Sequence, residues 1–352
     1  MLNNKPIAII AGARPNFMKV APLAREFNKQ KARHILINTG QHFSANMARN
    51  FLKEFKLKPN YTLRPPSAPV ARQQADIKKN LEKIFKKESP RLIIVVGDVN
   101  STLWAAQVAK KMRLPLAHLE AGLRSFNPKM PEELNRVQTD KLSDLLFVTE
   151  EEGIKNLRRE GIKNGVYFVG NIMIDNLELF RRRARKIPGK FYFCTLHRGE
   201  NVDDKKVFSE IIAALEIISR DSVIYLPIHP RTKKMAQVFG LTNKLKSACR
   251  LLPPLSYGQS VSYLQNARLV LTDSGGVQEE TSYLGVPCVT LRTETERPIT
   301  VTRGTNNVAG VTTRSILRTY GKVSFKKRKT RIRYWDGKTA ARVVAIIKKI
   351  YG

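Results

Sequence analysis

The chain is poor in cysteine, with three in 352 residues, at positions 194, 249 and 288. They form no CxxC pair, which argues against a disulfide scaffold and against the common structural zinc modules. A reducing, cytoplasmic setting with structural thiols is expected. Long apolar runs are absent too. None approaches the roughly 20 residues needed to cross a bilayer, so no membrane span is expected. The opening MLNNKPIAIIAGARP has no apolar core followed by a small-residue cleavage pattern, and reads as a first strand rather than a secretion signal. Acidic residues are scarce: 29 Asp and Glu stand against 63 Lys and Arg, a formal net charge of +34. A charge of that size suits nucleic acid or another anionic surface as a partner. The basic residues are spread widely, however, with local clusters at 181–186 and 326–329. No zinc-finger spacing, RNP motif or Gly/Arg-rich tail accompanies them, so a solvated basic surface is the reading and a nucleic-acid contact has no motif behind it. Two nucleotide signatures are also missing. There is neither GxGxxG at a first βα turn nor GxxxxGK[ST], so no dinucleotide cofactor and no P-loop are expected. His118, His197 and His229 have no local neighbour at ligand spacing, and no metal is expected.

What is present is an alternation of buried runs and amphipathic stretches. Apolar runs at 7–11, 34–38, 91–96, 116–119, 145–148 and 167–169 read as strands, with helical periodicity over 17–28, 70–87 and 101–113 between them. A second series follows a basic connector at 180–190. Its strands fall at 191–196, 222–227, 268–271 and 288–291, and its helices at 207–219, 258–265 and 277–284. A last helix covers 339–351. Alternation of this kind predicts parallel sheets covered on both faces. The length exceeds one ordinary core, so two domains are expected.

In doubly wound sheets, ligands bind outside the carboxyl ends of the strands. Polar, chemically capable residues gather at five such ends in this sequence. They are Gly12-Ala13-Arg14-Pro15, Gly97-Asp98, His118-Leu119-Glu120-Ala121-Gly122, His197-Arg198-Gly199-Glu200-Asn201 and Asp273-Ser274-Gly275-Gly276. In the last, two glycines at a helix start let a backbone approach phosphate oxygens, and Ser274 adds a hydroxyl. An ordinary βα turn with a capping serine would look the same. Arg14 and Lys19 could reach a pyrophosphate, Arg14 by a forked pair of hydrogen bonds. The carboxylates Asp98, Glu120, Glu132 and Glu133 would raise one another's pKa if clustered, as acid/base chemistry requires, though each could equally cap a loop or a helix start. His197 adds a proton donor or a cation for a leaving phosphate.

Taken together, these stretches resemble the non-hydrolysing UDP-N-acetylglucosamine 2-epimerases. Further matches are Met130-Pro131-Glu132-Glu133-Leu134-Asn135-Arg136 and Thr295-Glu296-Arg297-Pro298, and the likeness covers nearly the whole chain. The resemblance implies a GT-B-like α/β fold. That fold has two Rossmann-like, doubly wound parallel-sheet domains (1–170 and 171–338) with a cleft between them, and the last helix, 339–352, crosses back to the first. It implies elimination of UDP to a 2-acetamidoglucal, return of the C2 proton to the other face, and re-addition of UDP, without a cofactor. Asp98, Glu120, Glu132 and His197 match the catalytic set. Arg14, Lys19, Ser274, Gly275, Gly276, Glu280 and Arg297 match contacts to UDP, with Glu280 at the ribose hydroxyls. A homodimer is implied, and a regulatory second site would take in Gln41, His42 and His229.

Three departures bear on the substrate. Ser260 stands where an aromatic residue is common against the uracil, with Tyr257 or Tyr263 as replacements. Lys141 stands where histidine is frequent, and the region before Trp335 is short and strongly basic. The alternatives are an epimerase for another UDP-2-acetamido sugar, a hydrolysing form that releases free ManNAc, a GT-B glycosyltransferase, and a nucleic-acid-binding protein on a degenerate scaffold. Several acid/base candidates favour an epimerase over a transferase.

Overall fold

A computed structural model of the chain describes residues 5–40, 52–66 and 68–351. It resolves into two compact units, Met1–Asn176 with Arg333–Gly352, and Leu177–Ile332.

The first unit is built on seven strands: β1 (Ile7–Ala11), β2 (His34–Asn38), β3 (Tyr61–Thr62), β4 (Leu92–Val96), β5 (Leu116–Ala121), β6 (Leu145–Val148) and β7 (Val166–Phe168). All pairs are parallel, in the order β3-β2-β1-β4-β5-β6-β7. Helices among the described residues connect or follow them: α1 (Arg14–Lys29), α2 (Val70–Glu88), α3 (Asn100–Lys111), α4 (Pro131–Leu142), α5 (Glu151–Arg159) and α6 (Met173–Arg181), whose residues from Leu177 on are counted with the second unit. The central strands IAIIA and LIIVV are buried at every position because helices cover both faces of the sheet. Ile77, Leu81, Ile84 and Phe85 of α2 pack with Ile93, Val95, Trp104 and Ala105 in one core cluster. Phe17, Val20, Leu23 and Phe27 of α1 are buried as well. The C-terminal helix (Thr339–Tyr351) packs against α1, and Asp175 accepts hydrogen bonds from its first N–H groups, Thr339 at 3.0 Å and Ala340 at 2.8 Å.

The second unit has six parallel strands: β8 (Tyr192–Thr195), β9 (Ile224–Pro227), β10 (Arg250–Leu252), β11 (Leu269–Thr272), β12 (Cys288–Thr290) and β13 (Asn306–Val308). Their order is β10-β9-β8-β11-β12-β13. The helices are α7 (Gly199–Val202), α8 (Lys205–Ile218), α9 (Pro230–Val238), α10 (Thr242–Ala248), α11 (Tyr257–Asn266), α12 (Gly275–Leu284), α13 (Pro298–Thr302) and α14 (Thr313–Tyr320). Phe208, Ile211, Ile212 and Leu215 of α8 pack with Leu226, Leu245, Leu271 and Val289. The three cysteines are free and buried. Edge strands β3, β10 and β13 have two or three residues each, too few to show as apolar runs in the sequence.

In both units the strand order reverses at one place, between β1 and β4 and between β8 and β11. At such a switch point the two flanking loops diverge to opposite faces and leave a crevice for a ligand. The loops concerned begin at Gly12, Gly97, Leu196 and Asp273.

Candidate active site

In the first unit, the loops after β1 and β4 are tied to each other by Asn16. Its Oδ1 accepts the N–H of Ala13 at 3.0 Å, and its Nδ2 donates to the carbonyl of Val96 at 2.9 Å. Gly12 must be glycine, because a Cβ there would overlap the hydroxyl of Ser101. Arg14 opens α1 at this loop. Lys19, one turn further on, forms an ion pair with Glu120, and both side chains are largely buried. Gly97, at φ +68°, lies against this pair: a Cβ there would stand 3.2 Å from Lys19 Nζ and 3.9 Å from Glu120 Oε2.

Glu120 itself has φ +74°, and the β5–β6 register shifts between Leu119 and Ala121. A non-glycine residue in the left-handed region, at a bulge, marks a side chain re-aimed by its surroundings. Asp98 accepts from Arg136 Nη2 at 2.6 Å, and Arg136 Nη1 reaches Glu133 at 3.1 Å. Asn135 holds the Asp98 carbonyl at 2.9 Å. Asp98 and Glu120 are thus each paired with a cation, Arg136 and Lys19 respectively.

The neighbours Glu132 and Glu133 separate by role. Glu133 is buried and accepts from Ser125 N at 2.8 Å, Ser125 Oγ at 2.9 Å and Phe126 N at 3.1 Å. Burial alone would push its carboxyl up, but these donors and Arg136 hold it below the usual range. Glu133 therefore shapes the loop, whereas Glu132 is exposed and has no ion pair among the described residues.

In the second unit, Asp273 organises the end of β8. It is fully buried and accepts the N–H groups of His197 and Arg198, both at 2.7 Å, and its Oδ1 lies 3.2 Å from His197 Nδ1. Burial raises its pKa, but the His197 ring and the N–H groups outweigh this and hold it below the ordinary value. The Asp273 carboxylate thus stands beside Nδ1 of the imidazole, as in a carboxylate–histidine pair. The ring of His229 lies 5.4 Å away, and its Nδ1 accepts from Arg231 N at 3.2 Å. Gln41 and His42 lie outside the described residues.

Ser274 precedes α12 and makes no side-chain cap, so the leading N–H groups of the helix stay open. A Cβ on Gly275 or Gly276 would meet nothing nearer than 4.0 Å, and neither glycine has positive φ. Nothing in the fold itself requires glycine at these two positions, and glycines at a helix start leave room for an anion to approach the backbone. Arg297 pairs with Glu279 at 2.9 Å beside this helix. Glu280 is buried in the second turn and is pushed up to about 7, chiefly by burial, with the Tyr257 hydroxyl opposing and Glu279 adding to the rise.

The tyrosines suggested as replacements for the aromatic at 260 are committed elsewhere. Tyr263 stacks on Phe193 and lies edge-on to Tyr225 and Phe191, and Tyr257 is buried edge-on to Phe180. Sequence reasoning missed Asp273 and Arg136 as partners of His197 and Asp98. The only available signal was that β8 pairs with β11, which places Thr272 opposite Thr195 and so brings Asp273 beside the His197 loop.

The family model for UDP-N-acetylglucosamine 2-epimerase matches residues 25–348. The chain belongs to that family. It is 39% identical to the UDP-N-acetylglucosamine 2-epimerase of Methanocaldococcus jannaschii over 97% of this chain and 98% of the relative. A solved structure of the M. jannaschii enzyme in complex with UDP-GlcNAc and UDP superimposes with a TM-score of 0.84 at 38% identity, covering 98% and 99% of the two chains. Identity is also 39% to UDP-2,3-diacetamido-2,3-dideoxy-D-glucuronate 2-epimerase of Pseudomonas aeruginosa, over 86% of this chain and 88% of that one. This 2-epimerase family member is thus an isomerase with a GT-B-like α/β fold of two parallel-sheet units. No helix among the described residues is long and apolar enough to cross a membrane.

Proposed function

We propose that the protein interconverts UDP-GlcNAc and UDP-ManNAc. The C1–O bond to UDP breaks as the C2 proton leaves, giving a 2-acetamidoglucal. A proton then returns to C2 from the other face, and the UDP oxygen adds back at C1. Loss of the anomeric phosphate is needed because no carbonyl adjoins C2 to acidify its proton. Asp98, Glu120 and Glu132 serve as the proton-handling groups. His197, oriented by Asp273, assists the departing phosphate. Arg14, Lys19, Ser274, Gly275, Gly276, Glu280 and Arg297 bind UDP, with Lys19 also supporting ionised Glu120.

The observation that carries this reading is the open N-terminus of α12. Its two glycines have no conformational or packing reason to be glycine, and it follows a buried carboxylate, Asp273, that stands beside the His197 ring. The reading extends to a cytoplasmic homodimer, with His229 in a regulatory site, and light scattering of the purified protein measures the dimer.

The test is incubation with UDP-GlcNAc in deuterated water. Deuterium at C2 and a mixture of the two UDP-sugars are expected. Intact UDP-GlcNAc without exchange removes this substrate, and free ManNAc with UDP as main products moves the protein to hydrolysing chemistry. A second substrate, a UDP-2,3-diacetamido uronic acid, is favoured by the P. aeruginosa relative. Exchange on that sugar alone decides for it.

A further inference from the structure

Asp98 and Glu120 hang from the ends of adjacent strands, and one side chain ties those ends together. His118 lies in β5, two residues before Glu120, and is completely buried. Its Nδ1 is 2.6 Å from Asp140 Oδ1, and its Nε2 is 2.9 Å from the carbonyl oxygen of Gly97. A carbonyl can only accept, so Nε2 bears a proton. The Asp140 carboxylate accepts two further donors, Gly122 N at 3.0 Å and Arg124 Nη2 at 2.7 Å. Both of these donors reach Oδ2, so the Asp140 carboxylate is paired with a guanidinium independently of His118. An ionised carboxylate also only accepts, so Nδ1 bears a proton as well. Turning the ring over would face carbons to both oxygens.

We infer that His118 is a buried imidazolium that clamps the Gly97 carbonyl and thereby fixes the peptide leading into Asp98; it is a positioning residue for the reaction, not a catalytic one. Its charge is balanced locally. Arg124 also donates to Glu160 at 2.6 Å, so two cations and two anions form one closed network. Gly97 is held through both of its flanking peptides, its N–H by the carbonyl of Leu119 at 3.2 Å and its carbonyl by His118. Gly97 has positive φ and no side chain to resist rotation, so the His118 clamp sets the peptide on which the Arg136 and Asn135 contacts to Asp98 depend. The catalytic consequence rests on the function proposed above, whereas the protonation state does not.

Two measurements separate them. The protein has five histidines, so ring spectra of protein enriched in ¹⁵N-histidine are countable. They are recorded above about pH 8, where an imidazole of ordinary pKa near 6.5 is neutral. One ring with both nitrogens protonated and slowly exchanging is expected; five rings each with a bare nitrogen overturn the inference, whatever substrate the protein uses. For positioning, His118→Gln retains an amide donor near the Nε2 place, and His118→Asn retains one only near Nδ1. We expect kcat to fall at least about 10²-fold in the Asn variant and less in the Gln variant, with KM within about threefold of wild type in both. Folded variants with wild-type kcat, or a Gln variant worse than Asn, refute the Gly97 clamp. A variant that does not fold leaves the ring spectra of the intact protein to decide.

Discussion

At Glu280 a carboxyl group sits in a fully buried helical turn and is held near neutrality, at about 7 against an ordinary 4.5. In the proposed UDP site the ribose hydroxyls donate to its ionised form, so UDP bound there would select that form and displace a proton. UDP affinity should therefore rise as pH approaches about 7 and level off above it. Stability runs the other way: the contribution of a raised carboxyl is complete below its unfolded pKa and is lost as pH climbs through the folded one. Calorimetric titration with UDP in buffers of different ionisation enthalpy measures the proton. Binding without proton release between about pH 6 and 7 would remove Glu280 from the ribose. Lys19 and Arg136 each give a carboxylate of the first unit a cationic partner within the protein itself.

The elements are stabilised at their ends as much as along their faces. Asp175 receives the first two N–H groups of the C-terminal helix, and burial pushes it up to about 6 despite those donors, with the charge of Asp336 adding. Asp175→Ala should cost about 1–2 kcal/mol by leaving these groups without an acceptor. It should also abolish a pH-dependent term that in the wild type is full below 3.8 and lost as pH rises through about 6. Melting temperature against pH for the two proteins checks both effects, and parallel curves at equal height would sink the cap.

The same ends explain what was legible in the sequence. Buried strands announce themselves as apolar runs, and β1, β2 and β6 coincide with theirs. Helix starts do not, because periodicity registers only the first buried residue. Thus α1 begins at Arg14 rather than 17 and α12 at Gly275 rather than 277, and in both cases the unread turn carries residues of the proposed UDP site. The strand-end motifs located the candidate site. The pairs Asp273–His197 and Arg136–Asp98, 76 and 38 residues apart, exist only because the sheets bring those loops side by side.

At the scale of the whole molecule the dominant fact is the net charge of +34. Such an excess repels itself, and salt screens it over a Debye length of about 10 Å at 0.1 M. Melting temperature should rise from low to physiological ionic strength; a flat or falling trend would mean that the cations are already locally compensated. The molecule's stability also has a weak point in what it would accept. Gly275 and Gly276 have open space around them and backbone angles that alanine adopts, and alanine favours a helix over glycine by up to about 1 kcal/mol. A lineage selected in the laboratory for heat resistance alone would find those substitutions early and, if the two glycines hold UDP as proposed, would lose its hold on the nucleotide while its melting temperature improved.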